Sequence, residues 1–143
     1  MMLVTFNFNV PSTLVFGVDT VNQVGQYVKR FNGKKAFVIT DPGVAKVGIL
    51  EKVLKILKGD GIETGYYDQV IPEPPENIVA DIVDKVKEGG FEVIIGLGGG
   101  SSMDTAKMVS VLVTNGGTVR DYIGIGKVPK PGLPKIMIPT TSG

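Results

Sequence analysis

Apolar and polar positions along this chain switch repeatedly between two periods. Residues 3–10 alternate, with Leu3, Thr5, Asn7 and Asn9 on one side and Val4, Phe6, Phe8 and Val10 on the other, which predicts a strand. Pro11-Ser12 predicts a bend and residues 13–17 a second short strand, so a β-hairpin is expected at the amino terminus. From Asp19 or Thr20 the spacing lengthens, and Val21, Val24, Val28 and Phe31 fall on one helical face until Asn32-Gly33. Residues 36–40 form an apolar run, the mark of a parallel strand covered on both faces. Asp41-Pro42-Gly43 breaks it. A helix over 44–58 follows, carrying Val47, Leu50, Val53, Leu54 and Leu57, and Gly59-Asp60-Gly61 leads into a strand over 62–67.

Residues 70–77 hold too many prolines for either regular element and predict a stiff loop, with Glu76 or Asn77 capping a helix over 78–88. Gly89-Gly90 closes that helix. Next comes an apolar run of strand length from Phe91, ending in Gly98-Gly99-Gly100. Ser101 or Ser102 is expected to cap the following helix, which carries Ala106, Val109 and Val113 and stops at Asn115-Gly116-Gly117. A short helical turn over 119–123, a loop over 124–134 rich in glycine and proline, and a last strand over 135–138 complete the chain. The aromatic residues Phe6, Phe8, Phe16 and Phe31 are expected in the core. Strand and helix in alternation predict an α/β fold, a doubly wound, right-handed, mostly parallel Rossmann-like sheet with the amino-terminal hairpin added. All of residues 1–143 fit one domain.

Composition narrows the chemistry. The net charge of +1 offers neither a nucleic-acid footprint nor a polybasic membrane patch. No apolar run reaches transmembrane length, and no secretory signal is legible, so a cytoplasmic location is expected. The chain contains no cysteine and no histidine. Any metal held within these residues would have only carboxylate and backbone oxygens, so metal catalysis inside the chain is not expected.

In a doubly wound sheet, ligands sit beyond the carboxyl ends of the strands. Three such ends carry small or polar groups here: Asp41, the 98–102 loop, and Thr140-Thr141. Glycine lets a ligand approach the main chain, and the first-turn amides of the next helix add donors and the positive end of its dipole. Gly98, Gly99, Gly100, Ser101, Ser102 and Met103 are therefore candidates to hold a phosphate or pyrophosphate. The strict Gly-x-Gly-x-x-Gly pattern is broken by Ser101, and the Gly-Lys-Ser/Thr of nucleotide triphosphatases is absent. The same glycines could also serve as a plain turn. Asp41 has two readings. It could accept hydrogen bonds from an adenosine ribose and repel an added phosphate, favouring NAD over NADP, or it could simply start the turn with Pro42. Asp104, in the first turn after the glycines, reads as structural and is within reach of Lys107 at i, i+3.

The stretch Gly98-Gly99-Gly100-Ser101-Ser102-Met103-Asp104-Thr105-Ala106-Lys107 resembles the glycine motif of the iron-containing (group III) alcohol dehydrogenase family. Val38-Ile39-Thr40-Asp41, Asp121-Tyr122 and Ile138-Pro139-Thr140-Thr141-Ser142-Gly143 resemble further landmarks of that family, as does the segment over 11–17. The resemblance implies the amino-terminal, NAD-binding half of a two-domain enzyme that passes hydride between a small-molecule alcohol or aldehyde and a nicotinamide. By that resemblance Asp41 meets the ribose, Gly99, Gly100, Ser101, Ser102 and Met103 take the pyrophosphate, Gly98 shapes the turn, and Thr140 and Thr141 flank the nucleotide. The divalent metal, iron or zinc, belongs to a helical carboxyl-terminal domain absent from these residues, and the family's edge strand implies a homodimer through residues 3–10. Two departures stand out: Glu73 occupies a place where many members have asparagine, and the chain stops at Gly143 inside a motif that normally continues Thr-Gly-Ser-Glu. The expectation is a fragment without turnover of its own. A dehydroquinate-synthase-like lyase domain and a non-catalytic nucleotide-binding module remain as alternatives.

Overall fold

The computed structural model describes residues 19–122 and 128–140. The amino-terminal hairpin expected over 3–17, with Phe6, Phe8 and Phe16, lies outside them, as does Thr141. Four parallel strands form one sheet: β1 (Lys35–Ile39), β2 (Glu63–Tyr67), β3 (Val93–Gly98) and β4 (Lys135–Pro139), in the spatial order β2-β1-β3-β4. Helix α1 (Val24–Arg30) precedes β1, and α2 (Pro42–Lys46), α3 (Ile49–Gly59), α4 (Glu76–Gly89) and α5 (Gly100–Asn115) connect the strands. The α/β sheet expected from the alternating pattern is present.

Strand pleating divides the core into two layers. Ala36 and Val38 of β1, with Val93, Ile95 and Leu97 of β3, pack against Val24, Val28, Val53 and Leu57 of α1 and α3. Phe37, Ile39 and Ile94 point the other way, into Val79, Ile82 and Val86 of α4 and Ala106 and Val109 of α5. Gly96 sets the closeness of the second layer. A Cβ there would stand 2.9 Å from Ala106 Cβ and from Met137 Sδ, so α5 lies almost on the strand because no side chain intervenes.

Several boundaries differ from the periodicity. The helix expected over 44–58 is two, because Gly48 adopts φ 87° between α2 and α3 and the axis restarts there; Val47, placed on the buried face by spacing, is 71% exposed. A 3-10 turn, Thr20–Gln23, precedes α1, and α1 ends at Arg30. Phe31 is therefore 43% exposed rather than in the core, since the chain turns away through Asn32 at φ 58° before the ring can pack. Helix α4 starts two residues earlier than expected, and Pro75, not Glu76 or Asn77, is its N-cap, its carbonyl accepting from the amides of Ile78 and Val79. Helix α5 likewise begins at Gly100, ahead of both serines. The expected helical turn after Gly117 is present as a 3-10 turn, Val119–Tyr122.

Candidate functional site

The order β2-β1-β3-β4 places the switch point between β1 and β3. From β1 the chain moves outward to β2, then crosses back to β3 on the other side. A crevice opens at such a point beyond the carboxyl ends of the strands. Three of the chain's candidate groups meet there.

The end of β1 is fixed by Thr40. Its fully buried hydroxyl donates to the carbonyl of Leu97 at 2.6 Å, its amide donates to Tyr67 O at 2.8 Å, and its carbonyl accepts from Val70 N at 3.2 Å. One residue thus ties β1 to the ends of both neighbours. Asp41 follows in extended backbone as the N-cap of α2, with Oδ1 accepting from Val44 N at 2.9 Å and Pro42 in the first turn. The turn-starting reading of Asp41 is correct as local structure. Yet its second oxygen is turned elsewhere, 3.5 Å from the hydroxyl of Ser102.

The end of β3 is built by glycine. Gly98 has φ 136°, in the region that favours glycine, and a Cβ on it would lie 3.0 Å from Asp41 Oδ2 and 3.1 Å from Ser102 Oγ. Gly99 is the N-cap of α5 with extended backbone, and no side chain caps this helix end. Neither Ser101 nor Ser102 is the cap expected from sequence. Gly98 and Gly99 complete the turn by themselves, so α5 starts before either hydroxyl can reach back. Ser101 is exposed in the first turn, its carbonyl accepting from Thr105 Oγ1 at 2.8 Å, while Ser102 is buried. Met103 is half-buried and closes the turn with its amide on Gly99 O at 3.1 Å. The first-turn amides of α5 are left with the dipole's positive end and no side-chain partner, an arrangement suited to an anion.

Thr140 reaches the same corner from β4, its amide donating to Gly98 O at 3.0 Å. Thr40 escaped the sequence reading. The only signal for it was a polar residue ending an otherwise apolar run, and that pattern does not distinguish a buried tie from a strand end. Among the described residues no group of three or more His, Cys, Asp or Glu side chains could hold a metal ion, and no helix is long and apolar enough to cross a membrane.

The chain is 43% identical over 130 residues to the sulfoacetaldehyde reductase of Bilophila wadsworthia, covering 91% of this chain and 34% of the relative. It is 35% identical over 137 residues to the NAD-dependent methanol dehydrogenase of Bacillus methanolicus, covering 96% and 36%. Its fold superimposes on a crystal structure of a 1,3-propanediol oxidoreductase with a TM-score of 0.89 and 32% identity, covering 97% of this chain and 36% of that one. The chain thus spans about a third of the length of the proteins it matches. Residues 11–143 match the family described as iron-containing alcohol dehydrogenase. By this match, and by its sheet of four parallel strands, the chain belongs to the iron-containing alcohol dehydrogenase family.

Proposed function

We propose that these residues form the NAD-binding half of a metal-dependent alcohol dehydrogenase. The observation that carries this reading is the uncapped first turn of α5, set at the switch point opposite the Asp41 carboxylate. A dinucleotide fits that geometry. Gly98, Gly99 and Gly100 leave room for a pyrophosphate, and the amides of Gly100, Ser101 and Ser102 supply the α5 end of the cradle, which Met103 closes with its amide on Gly99 O. Asp41 stands where a ribose diol would follow, and its charge opposes a 2′-phosphate, so NAD is favoured over NADP. Thr140, and Thr141 after it, flank the nucleotide from β4. Two similar proteins, an NAD-dependent methanol dehydrogenase and an NADH-dependent butanol dehydrogenase, support the same cofactor.

Bound there, the nicotinamide exchanges hydride with an alcohol or aldehyde. What this chain's own residues do is bind and orient the dinucleotide. They do not fit a divalent metal: the sequence has no histidine, and the described residues offer no carboxylate cluster. The iron or zinc of the reaction is assigned to residues beyond this chain, which alone is expected to have no turnover. Dimer formation through residues 3–10 and a cytoplasmic location complete the proposal. Calorimetric titration with NADH and NADPH tests it. NADH binding more tightly than NADPH is expected, without alcohol oxidation when iron or zinc is added. Absence of NADH binding overturns the cofactor reading, and metal-dependent turnover by this chain overturns the assignment of the metal elsewhere.

A further inference from the structure

Ser102 belongs to the glycine corner by sequence, and the proposed function takes its amide for the cradle but gives its hydroxyl no part. The geometry places that hydroxyl elsewhere. The residue is 1% exposed, and its Oγ faces Oδ2 of Asp41, 61 positions away, at 3.5 Å, a long contact for an O–H···O pair. The other oxygen of that carboxylate is already held by the amide of Val44 at 2.9 Å. Gly98 closes the third side. A Cβ at Gly98 would stand 3.0 Å from Asp41 Oδ2 and 3.1 Å from Ser102 Oγ, so any side chain there would crowd both groups.

We propose that Ser102 is a positioning residue that acts through Asp41, bracing the carboxylate against α5 so that it discriminates against a 2′-phosphate on the adenosine ribose. This rests on the cofactor reading above. A carboxylate fixed only by its N-cap bond could rotate about its side-chain torsions and make space for an added phosphate. With Val44 N on one oxygen and the Ser102 hydroxyl beside the other, the negative charge stays in the crevice. The buried hydroxyl of Ser102 has no role at the solvent-facing mouth, which falls to the main-chain amides.

Equilibrium titration of this chain with 5′-AMP, 2′-deoxy-AMP, adenosine 2′,5′-bisphosphate, NADH and NADPH tests this. Ser102→Ala should narrow the preference for NADH over NADPH about fivefold, the scale of one hydrogen bond. It should weaken 5′-AMP while leaving 2′-deoxy-AMP unchanged. Ser102→Cys, which keeps the volume with a poorer donor, should fall between and serves if the alanine variant folds badly. In an Asp41→Asn background the serine substitution should have no further effect on the ratio, an outcome that a merely structural role would not produce. Equal weakening of NADH and NADPH overturns the proposal and moves the hydroxyl to the shared pyrophosphate; an unchanged ratio also overturns it. If Asp41→Asn itself leaves the ratio untouched, the cofactor reading of Asp41 fails, and this inference fails with it.

Discussion

The hydroxyl of Thr40 donates a 2.6 Å hydrogen bond to the carbonyl of Leu97, joining the carboxyl ends of two parallel strands at two fully buried residues. Leu97 directly precedes Gly98, so this bond sets the height of the glycine corner relative to Asp41. Thr40→Val keeps the shape and removes the donor, leaving the Leu97 carbonyl without its side-chain partner. A loss of about 1–3 kcal/mol is expected for such an orphaned buried group. Urea unfolding should show a lower midpoint with an unchanged slope, and NADH affinity should fall with it. A midpoint equal to that of the parent would show that the tie contributes nothing.

Gly98→Ala attacks the corner directly. The position has φ 136°, and an added Cβ would sit 3.0 Å from Asp41 Oδ2 and 3.1 Å from Ser102 Oγ. A strained residue in such a region costs about 1–3 kcal/mol. The methyl group also pushes the carboxylate and the first turn of α5 apart, so NADH binding should fall at least about tenfold, the equivalent of about 1.4 kcal/mol. Gly100→Ala is the matched control for stability alone, because a Cβ there meets no protein atom within 4 Å. Parent-like stability for the alanine at Gly98 and a loss for the one at Gly100 would reverse the assignment.

The contrast between these two glycines indicates what the sequence could and could not disclose. Alternating apolar runs and helical spacing gave the four described strands and their order of appearance, because burial of whole faces leaves a periodic trace. The strand ends carrying Asp41, the 98–102 loop and Thr140 were legible for the same reason: polar residues follow directly on buried strands. Gly48 was not legible as a helix break. Glycine inside a helical pattern is tolerated, and only its φ of 87° reveals that α2 stops there. Nor could spacing show which way Ser102 faces. Both serines have the chemistry of an N-cap, but the two-residue glycine turn starts α5 before them and puts one in solvent and the other against Asp41. Contacts between residues 61 apart leave no local pattern.

Glu73 occupies left-handed backbone, φ 49°, in the proline-rich loop after β2. Asparagine adopts this conformation far more readily than glutamate. The glutamate at this position is therefore disfavoured by the backbone alone. Glu73→Asn should stabilise the fold, and Glu73→Gly should do so too, each by about 0.5–1 kcal/mol. Thermal unfolding followed by circular dichroism measures this. If the glycine variant is less stable than the parent, backbone strain at Glu73 is not the operative quantity.

Lys135 gives the chain a pH dependence at the opposite end of β4 from the cofactor corner. Burial lowers its pKa, and the nearby charge of Lys107 lowers it further. In the unfolded chain the same amine keeps its ordinary affinity for protons, so between the depressed folded value and the ordinary lysine value the unfolded state binds more protons. Stability contributed by this group therefore rises with pH across that window and is at its least below it, where both states are protonated and the folded one holds a half-buried charge. Lys107→Gln removes the repulsion and should shift the rise to higher pH, while Lys135→Met should abolish it and raise the unfolding midpoint at neutral pH. Urea midpoints collected from neutral pH upward for the three proteins read the slope directly. A parent whose stability falls through the window, or a Lys135→Met variant that keeps the parent's slope, would show that Lys135 does not govern the alkaline limb.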